Sequence, residues 1–152
     1  MRGEILLHPV ALAAAAVYGL NDWWLKAAHP GVLSGKLSDV AGLVVLPVTL
    51  FALAELAARR PLSSRVYAAL VGVSALGFAA VEVIPAAETA WCATWGTLYW
   101  PLRALHAAAV GADWPSWAPV RAWSDWTDLL TLPAAGLAWL ARPVSSPRSP
   151  CS

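Results

Sequence analysis

Lys36, Ser38 and Asp39 fall within four positions at the mouth of a long apolar run, Glu82 lies near the end of another, and Asp125 and Asp128 open a third. Carboxylates brought close together resist double ionisation, which raises one pKa and suits the pair to general acid-base work. Several around one mouth also suit a hard divalent cation, but no spacing here is a metal signature and no metal is expected. A lysine among them supplies a counter-charge or a contact for an anionic group. Lys36, Asp39, Glu82, Asp125 and Asp128 therefore form the candidate pocket, with Asp22, Lys26 and His29 as secondary members.

Most of these residues also have a plain structural role. Ser38 or Asp39 suits the N-cap of one helix, and Asp125 the N-cap of another with Asp128 in its first turn, where the helix dipole favours negative charge. Lys26 and Lys36 suit interface anchors, and His29 before Pro30 suits a loop. Glu82 is different. It is flanked by Ala79, Ala80, Val81, Val83 and Ile84 at a helix C-terminus, where the dipole disfavours it. An ionisable side chain in a membrane segment costs about 2.5–3.5 kcal/mol on insertion scales, so it usually faces protein or water and has a partner. Lys36 is the counter-charge expected for Glu82.

The elements that must position these residues are helices. Of 152 residues 59% are hydrophobic and 12% charged, against about 25% charged in average soluble domains. That composition indicates an all-α integral membrane protein with the lipid bilayer as its main partner. A net charge of +1 offers no basic face for nucleic acid. Ten tryptophans suit membrane interfaces, where the indole buries its ring and keeps its N–H wet. Cys92 and Cys151 have neither CxxC spacing nor neighbouring histidines. No Gly-rich phosphate loop, GxSxG, HExxH or EF-hand pattern occurs, and no cofactor is expected. Arg2 followed by apolar residues resembles a signal peptide, but Glu4 weakens the n-region and the apolar run continues to Leu20.

Four spans are expected, at about 5–25, 40–58, 66–85 and 126–141, the last of them short and broken by Pro133. Ala11, Ala15 and Gly19 offer a small stripe for helix packing, Pro47 a kink in the second span, and Glu55 an i to i+4 contact with Arg59. Residues 86–124 are an interfacial segment in which Trp91, Trp95, Trp100, Trp114, Trp117 and Trp123 are interleaved with Pro101, Pro115 and Pro119. Two short interfacial helices, 86–99 and 102–111, and an irregular cover are expected there. Residues 1–141 make a single membrane domain, and 142–152 a disordered cytoplasmic tail.

Lys and Arg set the orientation. Arg2, Arg59, Arg60, Arg65, Arg142 and Arg148 would share one side, and Lys26, Lys36, Arg103 and Arg121 the other. The positive-inside rule makes the first side, with both termini, cytoplasmic. The membrane is then a plasma or inner membrane, and Cys92 and Cys151 lie in different compartments and do not pair.

Ser38-Asp39 opening one span, Glu82 ending the next and Asp125 or Asp128 opening the last resembles the VanZ-like membrane proteins, a small polytopic family associated with resistance to glycopeptide antibiotics. The resemblance covers residues 36–130. The chain differs from the family at Val40, where a basic residue follows the first Asp, at Leu43 in place of His, at Pro85 in place of Gln, and in having no Asn after either late Asp. The resemblance implies a multi-pass envelope protein whose outer pocket engages a polar headgroup or lipid-linked ligand. Two other readings are an accessory subunit docking a membrane-protein partner through its Trp-rich segment, and a membrane enzyme using paired carboxylates.

Overall fold

The computed structural model describes residues 3–29, 31–121 and 124–143; Trp123, Cys151 and the expected tail beyond Pro143 lie outside them. The described residues are helical, with no strand among them. In order come a 3-10 turn Glu4–Leu7, α1 (Pro9–Leu20), a π-helical turn Asn21–Leu25, α2 (Lys26–Ala28), α3 (Val32–Ala58), α4 (Ser64–Val83) and α5 (Pro85–Val110). A 3-10 helix Trp126–Ala134, α6 (Ala135–Ala138) and a 3-10 turn Trp139–Ala141 follow. Of these, α3 and α4 are long and apolar enough to cross a membrane, with mean hydropathies of 2.2 and 1.9. The chain divides into two compact units, Met1–Phe78 with Asp128–Ser152, and Ala79–Thr127.

In the first unit the helices run antiparallel between two poles. At one pole Ile5, Phe51, Ala52, Tyr67 and Ala141 share a core. Tyr67 is its hub: the ring meets Phe51 edge-on at 5.2 Å and stacks on Trp139 at 6.3 Å, while the hydroxyl donates to Ala138 O at 2.5 Å. At the other pole Asn21 reaches Ser34 and Ser38.

Helix α1 packs on α3 with a face different from the expected one. Ala11 is buried, but Ala15 and Gly19 are exposed. Steps of four residues turn 40° past a full circle, so an i+4 row drifts off a straight contact. The working face is Ala11, Ala14, Tyr18 and Asn21, with Tyr18 Cε2 lying 3.8 Å from where a Cβ at Gly42 would stand.

Helix α3 starts earlier than its composition suggests. Gly31 is the N-cap, extended at φ 168°, and the Ser34 hydroxyl accepts from its amide at 3.2 Å and donates to its carbonyl at 2.9 Å. Ser38 and Asp39 are therefore helix-interior residues and cap nothing. Pro47 is buried within the same helix. Glu55 also departs from expectation. It is 6% exposed, and its carboxylate accepts the amides of Gly3 and Leu62, each at 3.1 Å, in place of a contact with Arg59. Arg59 is turned outward by its left-handed backbone at φ 53°, which ends the helix.

The last segment is largely 3-10 where an α-helical span is expected. Pro133 supplies no N–H, and Thr131 Oγ1 takes the Asp128 carbonyl at 2.7 Å, an i to i−3 bond that favours the tighter coil.

The second unit is built on α5, a single helix of 26 residues that runs through Pro101 where two short helices are expected. Residues 112–121 fold back along it as an extended strap. Val120 N donates to Cys92 O at 3.1 Å, Trp100 Nε1 to Pro115 O at 3.0 Å and Trp117 Nε1 to Thr97 Oγ1 at 3.3 Å. Gly96 lets the strap approach, since a Cβ there would lie 2.6 Å from Ala118 O and 2.7 Å from Pro119 Cα. Gly96→Ala should therefore lift the strap, costing about 1–3 kcal/mol as overpacking does. Faster proteolysis within 112–121 is the expected readout, and unchanged cleavage would show that the close approach is not needed.

Candidate functional site

The residues singled out by the sequence separate by unit. Lys36, Asp39 and Asp128 belong to the first, with Asp22, Lys26 and His29; Glu82 and Asp125 belong to the second. Each group is organised around contacts of its own.

In the first unit the polar pole is centred on Asn21, the only carboxamide side chain in the sequence. The π-helical turn that begins there changes the register of the helix and carries Asn21 inward, to 1% exposure. Such turns recur at functional sites. Asn21 Nδ2 donates to Ser34 O and to Ser38 Oγ, both at 2.7 Å. Ser38 Oγ then donates to Asp22 Oδ1 at 3.0 Å, and Asp22 pairs with Lys26 at 2.5 Å. The chain thus passes from a buried amide through a buried hydroxyl to a charge pair in contact with solvent. That outer pair is 42% and 37% exposed and contributes little on its own. Asn21 Oδ1 is buried with no hydrogen-bond partner among the described residues. An orphaned buried acceptor costs about 1–3 kcal/mol, and among the described residues Ser74 Oγ is in the same condition.

On the same helix Lys36 Nζ lies 2.6 Å from Asp128 Oδ1, with side-chain exposures of 27% and 19%. Asp128, placed by the sequence in the first turn of a capped helix, is thus also a partner of Lys36. Asp39 is half-buried one residue beyond Ser38, and His29 is exposed at the end of α2.

In the second unit Glu82 is explained by hydrogen bonding. Its Oε2 accepts the Asp125 amide at 2.8 Å, and Asp125 Oδ1 in turn accepts the Thr127 amide at 2.9 Å. Asp125 so performs the capping role its position suggests, at the start of the 3-10 helix. Glu88, one turn into α5, accepts from Ser124 Oγ at 3.0 Å. Two carboxylates on either side of the Pro85 corner therefore hold residues 124 and 125.

Among the described residues no group of three or more His, Cys, Asp or Glu side chains is arranged to hold a metal ion. Asn21 is the member that sequence reasoning missed. Its signal was its uniqueness, the one amide between an apolar span and two exposed tryptophans. No family model, curated protein or solved structure matches the chain.

Glu82→Gln keeps an acceptor oxygen for the Asp125 amide, whereas Glu82→Leu removes it. The Leu variant should lose about 0.5–1.5 kcal/mol, the net value of one hydrogen bond, and the Gln variant less, read from denaturant unfolding. A Leu variant more stable than the parent would show that Glu82 is a lipid-facing liability.

Proposed function

We propose that the protein is a small multi-pass protein of a plasma or inner membrane whose extracytoplasmic pole binds a polar headgroup, of a lipid or a lipid-linked molecule. Four crossings, by 5–25, α3, α4 and 126–141, fit the antiparallel order of the first unit. Helix α4 supports the membrane environment, since only 11% of its apolar window is buried within the protein. The charge distribution supports the orientation. Arg59, Arg60, Arg65 and Arg142 lie at one pole of the first unit, whereas Lys26 and Lys36 lie at the other, each paired with an aspartate.

The observation that carries the headgroup reading is the polar pole of the first unit. A buried amide oxygen without a described partner, a hydroxyl relay and a half-buried Lys36–Asp128 pair stand together at the end of apolar helices. Polar atoms at such depth usually mark a binding site. A headgroup with both donor and anionic atoms satisfies Asn21 Oδ1 and Lys36 together. The VanZ-like resemblance leads to the same class of ligand. A second reading, docking of a membrane-protein partner by the Trp-rich unit, is favoured by the ladder of Trp91, Trp95 and Tyr99 along α5, with ring centroids 5.4 and 5.7 Å apart.

Topology is tested by single cysteines in a chain with Cys92 replaced. Those at 60–64 should resist an impermeant thiol reagent in intact cells and those at 112–118 should react; the reverse pattern would place the polar pole in the cytoplasm.

The headgroup reading is tested by thermal shift of the detergent-solubilised protein with short-chain lipids bearing phosphocholine, phosphoethanolamine, phosphoglycerol or prenyl phosphate heads. At least one should raise Tm by several degrees, and Asn21→Ala and Lys36→Met should each abolish that rise. If no headgroup shifts Tm, or both variants respond as the parent does, the reading fails.

A further inference from the structure

At the arginine pole of the first unit an open apolar groove of about 270 Å³ is lined by Gly3, Leu6, Thr49, Ala52, Leu53 and Leu56. Its long wall is a single stripe of α3, because Thr49, Leu53 and Leu56 follow at i, i+4 and i+7. Leu6, Leu53 and Leu56 are 43%, 56% and 63% exposed, so the groove presents a continuous apolar floor to its surroundings. The helix carrying this stripe ends at Ala58, Arg59 and Arg60 follow it directly, and Arg65 lies in the first turn of α4; all three are exposed.

Charge at this end is one-sided. Glu55, the nearest acid along α3, is buried with its carboxylate spent on the Gly3 and Leu62 amides. Glu4, in the adjoining 3-10 turn, is the acid that remains exposed there among the described residues. The C-terminus of α3 adds a partial negative charge that opposes an anion, and three arginines outweigh it.

We propose that the groove and the basic turn together form a site for an anionic phospholipid, with an acyl chain along Leu6, Leu53 and Leu56 and the phosphate at Arg59, Arg60 and Arg65. An apolar groove alone takes any lipid tail, and a basic turn alone takes any anion. Their placement at the end of α3 and the turn into α4 selects a molecule with both. Guanidinium groups match phosphate oxygens in a bidentate fork, and basic clusters at the cytoplasmic ends of spans hold anionic headgroups. This site is separate from the polar pole and rests only on the membrane part of the reading above.

The test uses the full-length protein. Resistance to carbonate extraction is measured first, because a chain released by carbonate fails the membrane reading itself. The membrane-retained protein is then equilibrated with equal amounts of dioleoylphosphatidylglycerol and dioleoylphosphatidylcholine in detergent, and retained lipid is counted by native mass spectrometry. The parent should hold phosphatidylglycerol at least tenfold in preference. R59Q/R60Q/R65Q should bring the two lipids to parity. R60Q/R65Q, which leaves the left-handed cap at Arg59 untouched, should cut the preference at least threefold. Thr49→Phe, which fills the groove, should lower retention of both. Parity in the parent, or a preference unchanged in R60Q/R65Q, would overturn the proposal while leaving the membrane reading intact.

Discussion

Glu55 stands almost at the end of α3, and through its two carboxylate oxygens it gathers the amide of Gly3 and the amide of Leu62. The start of the chain, the end of the long helix and the turn into α4 are thereby tied to one side chain. A carboxyl group at 6% exposure is tolerable only when its oxygens are so occupied, since leaving buried polar atoms unpaired is costly. Once that corner is fixed, Tyr67 falls beside Phe51 and Trp139, and its hydroxyl finds the Ala138 carbonyl. Asn21 does the equivalent work at the opposite pole. In each case a single polar side chain reaches across to a neighbouring helix or turn and bonds polar groups there.

Much of this was readable from the sequence, and what was not has identifiable causes. The helical class and the apolar cores of α3 and α4 follow from long hydrophobic runs, and the cap at Asp125 from its place before a helical stretch. The start of α3 was hidden because Leu33-Ser34-Gly35-Lys36 has the composition of a turn; the Ser34 bonds to Gly31 show how such residues still begin a helix. Pro101 disguised α5 as two helices. A proline interrupts one hydrogen bond, and the bonds of the strap to Cys92, Thr97 and Trp100 brace the helix on its N-terminal side. The partners of Glu55 and Lys36 lie far away in sequence, and periodicity within one helix says nothing of them.

The two poles of the first unit differ in how their cations are held. Arg59, Arg60 and Arg65 are exposed at a turn, free of the paired geometry seen for Lys26 and Lys36. Guanidinium groups keep their charge under all conditions, whereas an ammonium beside a carboxylate contributes little net field beyond its own pair. The arginine pole therefore presents charge to its surroundings, and the lysine pole presents hydrogen-bonding groups.

The separation of Lys36 from Asp128, 92 positions along the chain, sets an order of events. Lys26 meets Asp22 one helical turn away, so that pair closes as soon as the turn forms. Lys36 has no such early relief from Asp128, which emerges only after α4 and α5 have been made. During synthesis the Lys36–Asp128 pair thus closes only when the final segment arrives. Docking of residues 126–141 is then the step that completes it, and truncation before Asp128 would leave the apolar helices without that contact.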